Sequence, residues 1–166
     1  MIDYKEKGHG LHVAIEAAGH WLRETDGKWV SSDDDAVQAL IDAYTLDQCK
    51  SERAAESLAI SKALRDAVVA SISPGEMAAW PIKRAEAVAY AASGRDEDAP
   101  LLSAEAAARG ITLPAMLAKV SENAQYFAGL EARIGGADGK HRDKIALLEA
   151  FEDVAAYDLS VDWPKV

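Results

Sequence analysis

Along most of the chain, apolar residues recur every three or four positions, which places them on one face of an α-helix. One helix is predicted over residues 46–71, a stretch without glycine or proline. The next is predicted over 74–93, because Ser73 is a suitable N-cap and Glu76 completes a capping box. This second helix is rich in alanine, with Trp80 as its large aromatic anchor near the start. We therefore expect neighbouring elements to hold it on both sides.

A long helix is predicted at the C-terminal end, from Leu113 to about Tyr157, either continuous or kinked. The pair Gly135-Gly136 in its middle is typical of a helix stop. However, the eleven positions from Ile134 to Ile145 make three turns at about 3.67 residues per turn. The apolar seam therefore resumes in phase after the glycines, which favours one helix over two.

In the first 45 residues, the spacing of the apolar positions changes along the chain, and this pattern predicts a small α+β unit. A helix over 9–18 comes first, followed by two short strands on either side of Asp26-Gly27, a strong hairpin signal. We expect Trp21 and Trp29 to share one face of this hairpin as a cross-strand pair. Ser32 is expected to cap the helix that follows.

The predicted fold class is mainly α, an antiparallel three-helix arrangement with a long C-terminal helix, preceded by the small α+β unit of helix, β-hairpin and helix. A charged loop and a short helix capped by Ser103 connect the second and third long helices. The predicted domain organisation is the α+β unit at 1–45, a helical domain at 46–157 and a C-terminal tail at 158–166. The α+β unit is too small to be stable alone, so we expect it to dock on the remainder.

Composition narrows the range of functions. The chain has 166 residues, of which 49% are apolar but only 7% aromatic, a balance that favours close-packed helices. Its net charge of −10 argues against sequence-independent binding to nucleic acid or to an anionic membrane surface. The single cysteine, Cys49, suits a reducing cytoplasm. We also expect neither a signal peptide nor a membrane span, because no apolar stretch is long enough.

One group of residues has the spacing of metal ligands. His9, His12, Glu16 and His20 follow one another at intervals of three and four. Gly19 is expected to break the helix before His20, and no second-shell partner is assigned to any of these histidines. Structural or surface histidines are therefore the favoured interpretation, and we expect no metal site and no cofactor.

No catalytic constellation is evident either. Asp33-Asp34-Asp35 is better explained by the favourable position of acidic residues at a helix start. The run 135–140 lacks the preceding strand and the Lys-Ser/Thr ending of a phosphate-binding loop. Cys49 lies on an apolar stripe and is expected to be a buried, inert thiol. The chain is therefore predicted not to be an enzyme.

Three aromatic residues are the candidates for a partner surface. Tyr126 and Phe127 are neighbours on one predicted helix and cannot both face the same core. Tyrosine and tryptophan dominate the energetic centres of protein interfaces. Tyr126 is therefore grouped with Tyr90 and Trp163 as the candidate partner-binding residues.

Four short runs in the helical part consist of packing and turn signals. They are Trp80-Pro81-Ile82-Lys83-Arg84-Ala85-Glu86-Ala87-Val88-Ala89-Tyr90, Ala99-Pro100-Leu101-Leu102, Ala107-Ala108-Arg109-Gly110-Ile111 and Leu117-Ala118-Lys119-Val120. Their pattern is a tryptophan, a Glu-Ala pair with an aromatic, a loop ending in proline, a small helix closed by Arg-Gly, and a long helix. This pattern resembles a module found in tailed bacteriophages and prophages, at the C-terminal end of tail-fibre assembly proteins and other tail-associated proteins. The resemblance covers roughly Asp47 to Ala156.

The resemblance implies a non-enzymatic chaperone or adaptor whose partner is a phage tail fibre protein. Such a protein would act in the host bacterial cytoplasm or remain in the virion tail. Two alternatives stay open, a structural tail or baseplate component retained in the virion, and a small host-directed binding protein whose acidic surface suits a basic cleft. Assembly into a homo-oligomer also stays open.

Overall fold

The computed structural model describes residues 2–4 and 7–165, and the fold is mainly helical, as the sequence predicts. Within that part of the chain there are seven α-helices and one antiparallel hairpin. None of the helices there is long and apolar enough to span a bilayer. The elements are α1 His9–Ala17, β1 Leu22–Thr25, β2 Lys28–Ser31, α2 Asp34–Ala43, α3 Leu46–Val69, α4 Pro74–Ser93, a 3-10 turn at Asp96–Asp98, α5 Pro100–Ala108, α6 Leu113–Ala146 and α7 Phe151–Ala156.

The chain forms two compact units. The first unit comprises Met1–Ala63 and Gly135–Trp163, and the second comprises Leu64–Ile134 and Pro164–Val166. The end of α6, α7 and most of the segment after it therefore belong with the N-terminal α+β elements. The sequence-based prediction instead assigns residues 135–157 to the helical domain and residues 158–163 to the tail.

The core of the first unit forms where α1 and α2 pack together. Leu11 and Ile15 of α1 and Val37 of α2 have no exposed surface. Val154 of α7 is equally buried in the same cluster, so a residue far along the chain completes the N-terminal core. The other buried members are Ile2, Leu22, Ile41, Tyr44 and Cys49.

Gly10 allows a close approach between α1 and the start of α3. A Cβ at this position would overlap the carboxylate of Glu52 and would lie 2.6 Å from the hydroxyl oxygen of Tyr44. Tyr44 donates this hydroxyl to Glu52. Burial, and then the hydrogen bond to Glu52, raise the pKa of Tyr44. A larger residue at this position would therefore have to displace the Glu52 carboxylate from its hydrogen bond with Tyr44.

The hairpin forms at Asp26-Gly27, but the predicted aromatic pair across it is wrong. The two-residue turn pairs Thr25 with Lys28 and Glu24 with Trp29. Successive side chains of a strand point to opposite faces, so this register puts Trp21 and Trp29 on opposite faces. Trp29 packs against Tyr4, with ring centroids 4.5 Å apart, while Trp21 is 39% exposed.

Asp33, and not the predicted Ser32, caps α2. Its side chain accepts a hydrogen bond from the backbone N–H of Ala36 at 3.0 Å. The Ser32 hydroxyl is already engaged at the end of the hairpin, where it accepts the backbone N–H of Trp21 at 3.2 Å. Ser32 therefore stabilises the end of the hairpin, and Asp33, the first aspartate of the acidic run, caps α2.

Helix α6 continues through Gly135-Gly136, as the phase of its apolar seam predicts. Its predicted extension to Tyr157 is wrong, because the helix ends at Ala146 and α7 begins only at Phe151. The residues between them contain no sequence signal for a helix stop. The break places Val154 in the N-terminal core, and this tertiary burial outweighs the helical period of the sequence.

The segment after α7 packs onto α6 through a fully buried histidine, His141. Its Nε2 lies 3.0 Å from the carbonyl oxygen of Val161, so Nε2–H donates and Nδ1 accepts the Tyr157 hydroxyl at 2.9 Å. Trp163 stacks on the imidazole with a centroid distance of 5.1 Å. Its indole N–H donates to the carbonyl of Leu159 at 2.7 Å.

Candidate partner-binding groove of the second unit

Helix α4, one wall of the candidate site, is fixed at both ends by local signals. The Ser73 hydroxyl accepts the backbone N–H of Glu76 at 3.1 Å, which confirms the predicted N-cap, and Pro74 follows at the first helical position. Gly94 ends the helix in the left-handed conformation with φ 68°, and its N–H donates to the carbonyl of Tyr90 at 2.7 Å.

Glu86 joins α4 to the N-terminus of α5. Its Oε1 accepts the backbone N–H of Leu101 at 3.1 Å, and its Oε2 accepts that of Leu102 at 2.9 Å. Pro100 has no N–H that needs a partner, so these two bonds satisfy the first free donors of the helix. The prediction that Ser103 caps this helix is therefore wrong, since Ser103 lies inside it.

A small core lies between α4, α5 and the start of α6. Ala99, Leu102, Ala106 and Met116 are buried there, and Tyr90 packs against them. At the edge of this core, Lys83 of α4 forms an ion pair with Glu105 of α5, with 2.7 Å between nitrogen and oxygen. These contacts fix the C-terminal half of α4 against α5.

Helices α4 and α6 run antiparallel. Near the start of α4, the Trp80 ring lies 4.8 Å from the ring of Phe127, measured between centroids. Near its end, Tyr90 packs against the same small core as Leu117 and Val120, which lie about two to three turns before Phe127 on α6. Helix α4 contains no buried residue, so its contacts along α6 are shallow.

An open groove of about 770 Å³ lies between these two helices. Val88 on its α4 side is 65% exposed. Its walls are mostly alanine and other apolar side chains, which leave room that larger residues would have filled. The lining residues are Arg84, Ala87, Val88, Tyr90, Ala91, Pro114, Leu117, Ala118, Val120, Ser121, Ala124, Gln125 and Ala128.

Of the three predicted partner-binding residues, two lie in the second unit and one in the first. Tyr90 lines the groove and packs on the adjacent core. Tyr126 is 57% exposed on the same helix as the groove residues but does not line it. Trp163 belongs to the first unit, where it stacks on His141.

The histidines of the candidate metal group have separate surroundings. His12 Nε2 lies 3.1 Å from the Tyr4 hydroxyl, and His20 Nδ1 lies 3.1 Å from the Ser32 hydroxyl. His9 and Glu16 are exposed. Over residues 2–4 and 7–165, no three His, Cys, Asp or Glu side chains are arranged to hold a metal ion.

Cys49 has the surroundings of a structural thiol. It is 6% exposed, and its Sγ donates to the carbonyl oxygen of Lys7 at 3.4 Å. Burial raises the pKa of the thiol, which disfavours the reactive thiolate.

Most groove residues have no distinctive pattern in the sequence, because alanines on a helix are typical of ordinary packing positions. The one available signal was the resemblance, since seven lining residues lie within its quoted runs, from Arg84 to Tyr90 and from Leu117 to Val120. Comparison with protein families, curated proteins and solved structures finds no match to this chain.

Proposed function

We propose that this chain is a non-enzymatic tail-fibre assembly protein of a bacteriophage or prophage, a chaperone or adaptor that binds its fibre through the groove between α4 and α6. The observation that carries the proposal is the position of the groove. Seven of its thirteen lining residues lie in the runs on which the resemblance to the tail-fibre module rests, and one of them, Val88, is 65% exposed. Exposed apolar patches on a folded protein commonly mark interaction sites.

The chemistry of the groove suits a polypeptide partner. Its alanine-lined walls offer apolar contact area, and the half-buried Tyr90 is an aromatic residue of the kind that anchors interfaces. A fibre is long and rich in β structure, so its chains fold slowly and expose apolar segments before they assemble. A protein that covers such a segment would keep the chain available for assembly.

The test is co-expression with a phage tail fibre protein, with soluble trimeric fibre as the readout. We expect soluble trimer to form only when this protein is present. Ala124→Trp fills the groove, so this variant should fail to support soluble trimer, whereas Ala132→Trp, also exposed on α6 but outside the groove, should support it as the wild type does. Equal yields of fibre with and without the protein, and no complex between the two, would overturn the proposal.

The same experiment separates the chaperone from its alternatives. Co-purification of the protein with mature virions favours a structural tail or baseplate component. Co-purification with a protein of the host, without any effect on fibre yield, favours a host-directed binder.

A further inference from the structure

The lining of the groove is positively charged, in contrast to the chain as a whole. The protein has a net charge of −10, yet among the residues that the structure describes, Arg84 is the one charged residue that lines the groove, and no carboxylate lines it. Within residues 2–4 and 7–165, Arg84 has no ion-pair partner, in contrast to Lys83 beside it, which is paired with Glu105. The guanidinium is exposed at the edge of an apolar surface and is available to a partner.

The position of Arg84 gives the groove two different ends. It lies on α4 between Trp80, which contacts Phe127, and Tyr90, which packs against the same small core as Leu117. Because the helices are antiparallel, the guanidinium lies toward the Phe127 end and the aromatic Tyr90 toward the other. A bound ligand would therefore meet the guanidinium of Arg84 at one end of the groove and mostly apolar side chains along the remainder.

The shape of the groove favours a helix as its occupant. The lining positions of α6 extend from Pro114 to Ala128, about 21 Å at 1.5 Å per residue. Small side chains from both walls, including Ala87, Ala118 and Ala124, allow a third helix to approach closely. Apolar grooves between helices are a recurrent docking site for amphipathic helices.

We infer that the groove binds an amphipathic helix of the fibre chain, with its apolar face against the alanines and a carboxylate paired with Arg84. The inference rests on the proposed function and adds the chemistry of the bound segment. An exposed ion pair is weak, but one enclosed by the apolar contacts of a docked helix is stronger, because water is excluded around it.

The test measures binding of the purified fibre protein to four forms of this protein, the wild type, R84E, R84K and K119E. Lys119 is exposed on α6 outside the groove, so K119E changes the net charge as much as R84E does. We expect R84E to weaken binding about tenfold or more, R84K to keep most of the affinity, and K119E to stay within about twofold of the wild type. Unchanged thermal unfolding of each variant shows that the fold is kept.

Hydrogen exchange of the complex then locates the bound fibre segment. Its acidic residues are replaced by lysine one at a time, and one replacement should restore the binding of R84E. Equal losses with R84E and K119E would overturn the inference, as would a protected fibre segment that is a β-strand or lacks an acidic residue. So would dimerisation of this protein alone that Ala124→Trp abolishes, because the groove would then be filled by a second copy.

The two proposals fail differently. If the wild type binds the fibre, and Ala124→Trp prevents binding while R84E does not, the assembly function stands and the acidic helix is wrong. If the wild type does not bind the fibre, both are wrong.

Discussion

The carboxylate of Glu86 accepts the backbone N–H of Leu102, sixteen residues further along the chain, at 2.9 Å, and thereby caps a helix to which it does not belong. The neighbouring N–H of Leu101 bonds to the other carboxylate oxygen at 3.1 Å. A negatively charged group at this position also interacts favourably with the helix dipole.

Replacing Glu86 with alanine should therefore destabilise the second unit. We expect Glu86→Ala to lower the free energy of unfolding by about 1–2 kcal/mol, the usual effect of losing an N-cap. Glu86→Gln keeps one acceptor oxygen and should cost less. Urea unfolding of both variants checks the prediction, and an equal loss for the two would mean that the one acceptor oxygen kept by Gln contributes nothing.

Gly10→Ala should destabilise the first unit by about 1–3 kcal/mol, because the added methyl group overlaps the Glu52 carboxylate. The matched control is Gly136→Ala, where a Cβ on α6 meets no atom within 4 Å. That change should be neutral or stabilise by up to about 1 kcal/mol through helix propensity. Thermal unfolding distinguishes them, and the combination of Gly10→Ala with Glu52→Ala should recover part of the loss.

Tyr157→Phe should cost about 1–2 kcal/mol, because it leaves Nδ1 of the fully buried His141 without its hydrogen-bond donor. The loss should appear first in the segment that ends at Trp163, which stacks on the same imidazole. Hydrogen exchange of residues 157–163 is the measurement. Unchanged protection there would show that the Tyr157 hydroxyl does not hold the segment.

Stability should fall at alkaline pH, in part through Tyr44. Its pKa is raised in the folded state by burial and by the hydrogen bond to Glu52, so the folded protein keeps a proton that the unfolded chain releases. This contribution is complete below the unfolded pKa of about 10 and is lost as the pH rises above it, by at most about 1.4 kcal/mol per pH unit. Urea midpoints above that pH should decline less steeply in Tyr44→Phe. The exposed Tyr126→Phe serves as the control, and equal slopes for both would contradict the assignment.

The parts of the fold that sequence reasoning predicted are those set by local chemistry. The hairpin follows from Asp26-Gly27, the start of α4 from Ser73, and the continuity of α6 through Gly135-Gly136 from the spacing of its apolar seam. Each of these three features depends on residues that are close together in the chain. Their pattern can therefore be recognised from the sequence alone.

The errors arise where distant residues decide the local structure. The short helix begins at Pro100 because Glu86 caps it, and no local pattern reveals a cap from another helix. The break after α6 exists because Val154 is buried in the N-terminal core. The groove was missed for the same reason, because it depends on how far α4 and α6 lie apart.

Val88 and Ala91 line the groove from α4 and are exposed, so these two positions are free of the constraints that fix a core. A mutation of Val88 or Ala91 changes the shape of the groove and leaves the interior of the unit intact. Single substitutions can therefore alter the binding surface that we propose, and each such variant should still fold. Among relatives of this chain, Glu86 should persist with the fold, while the exposed wall diverges with the partner.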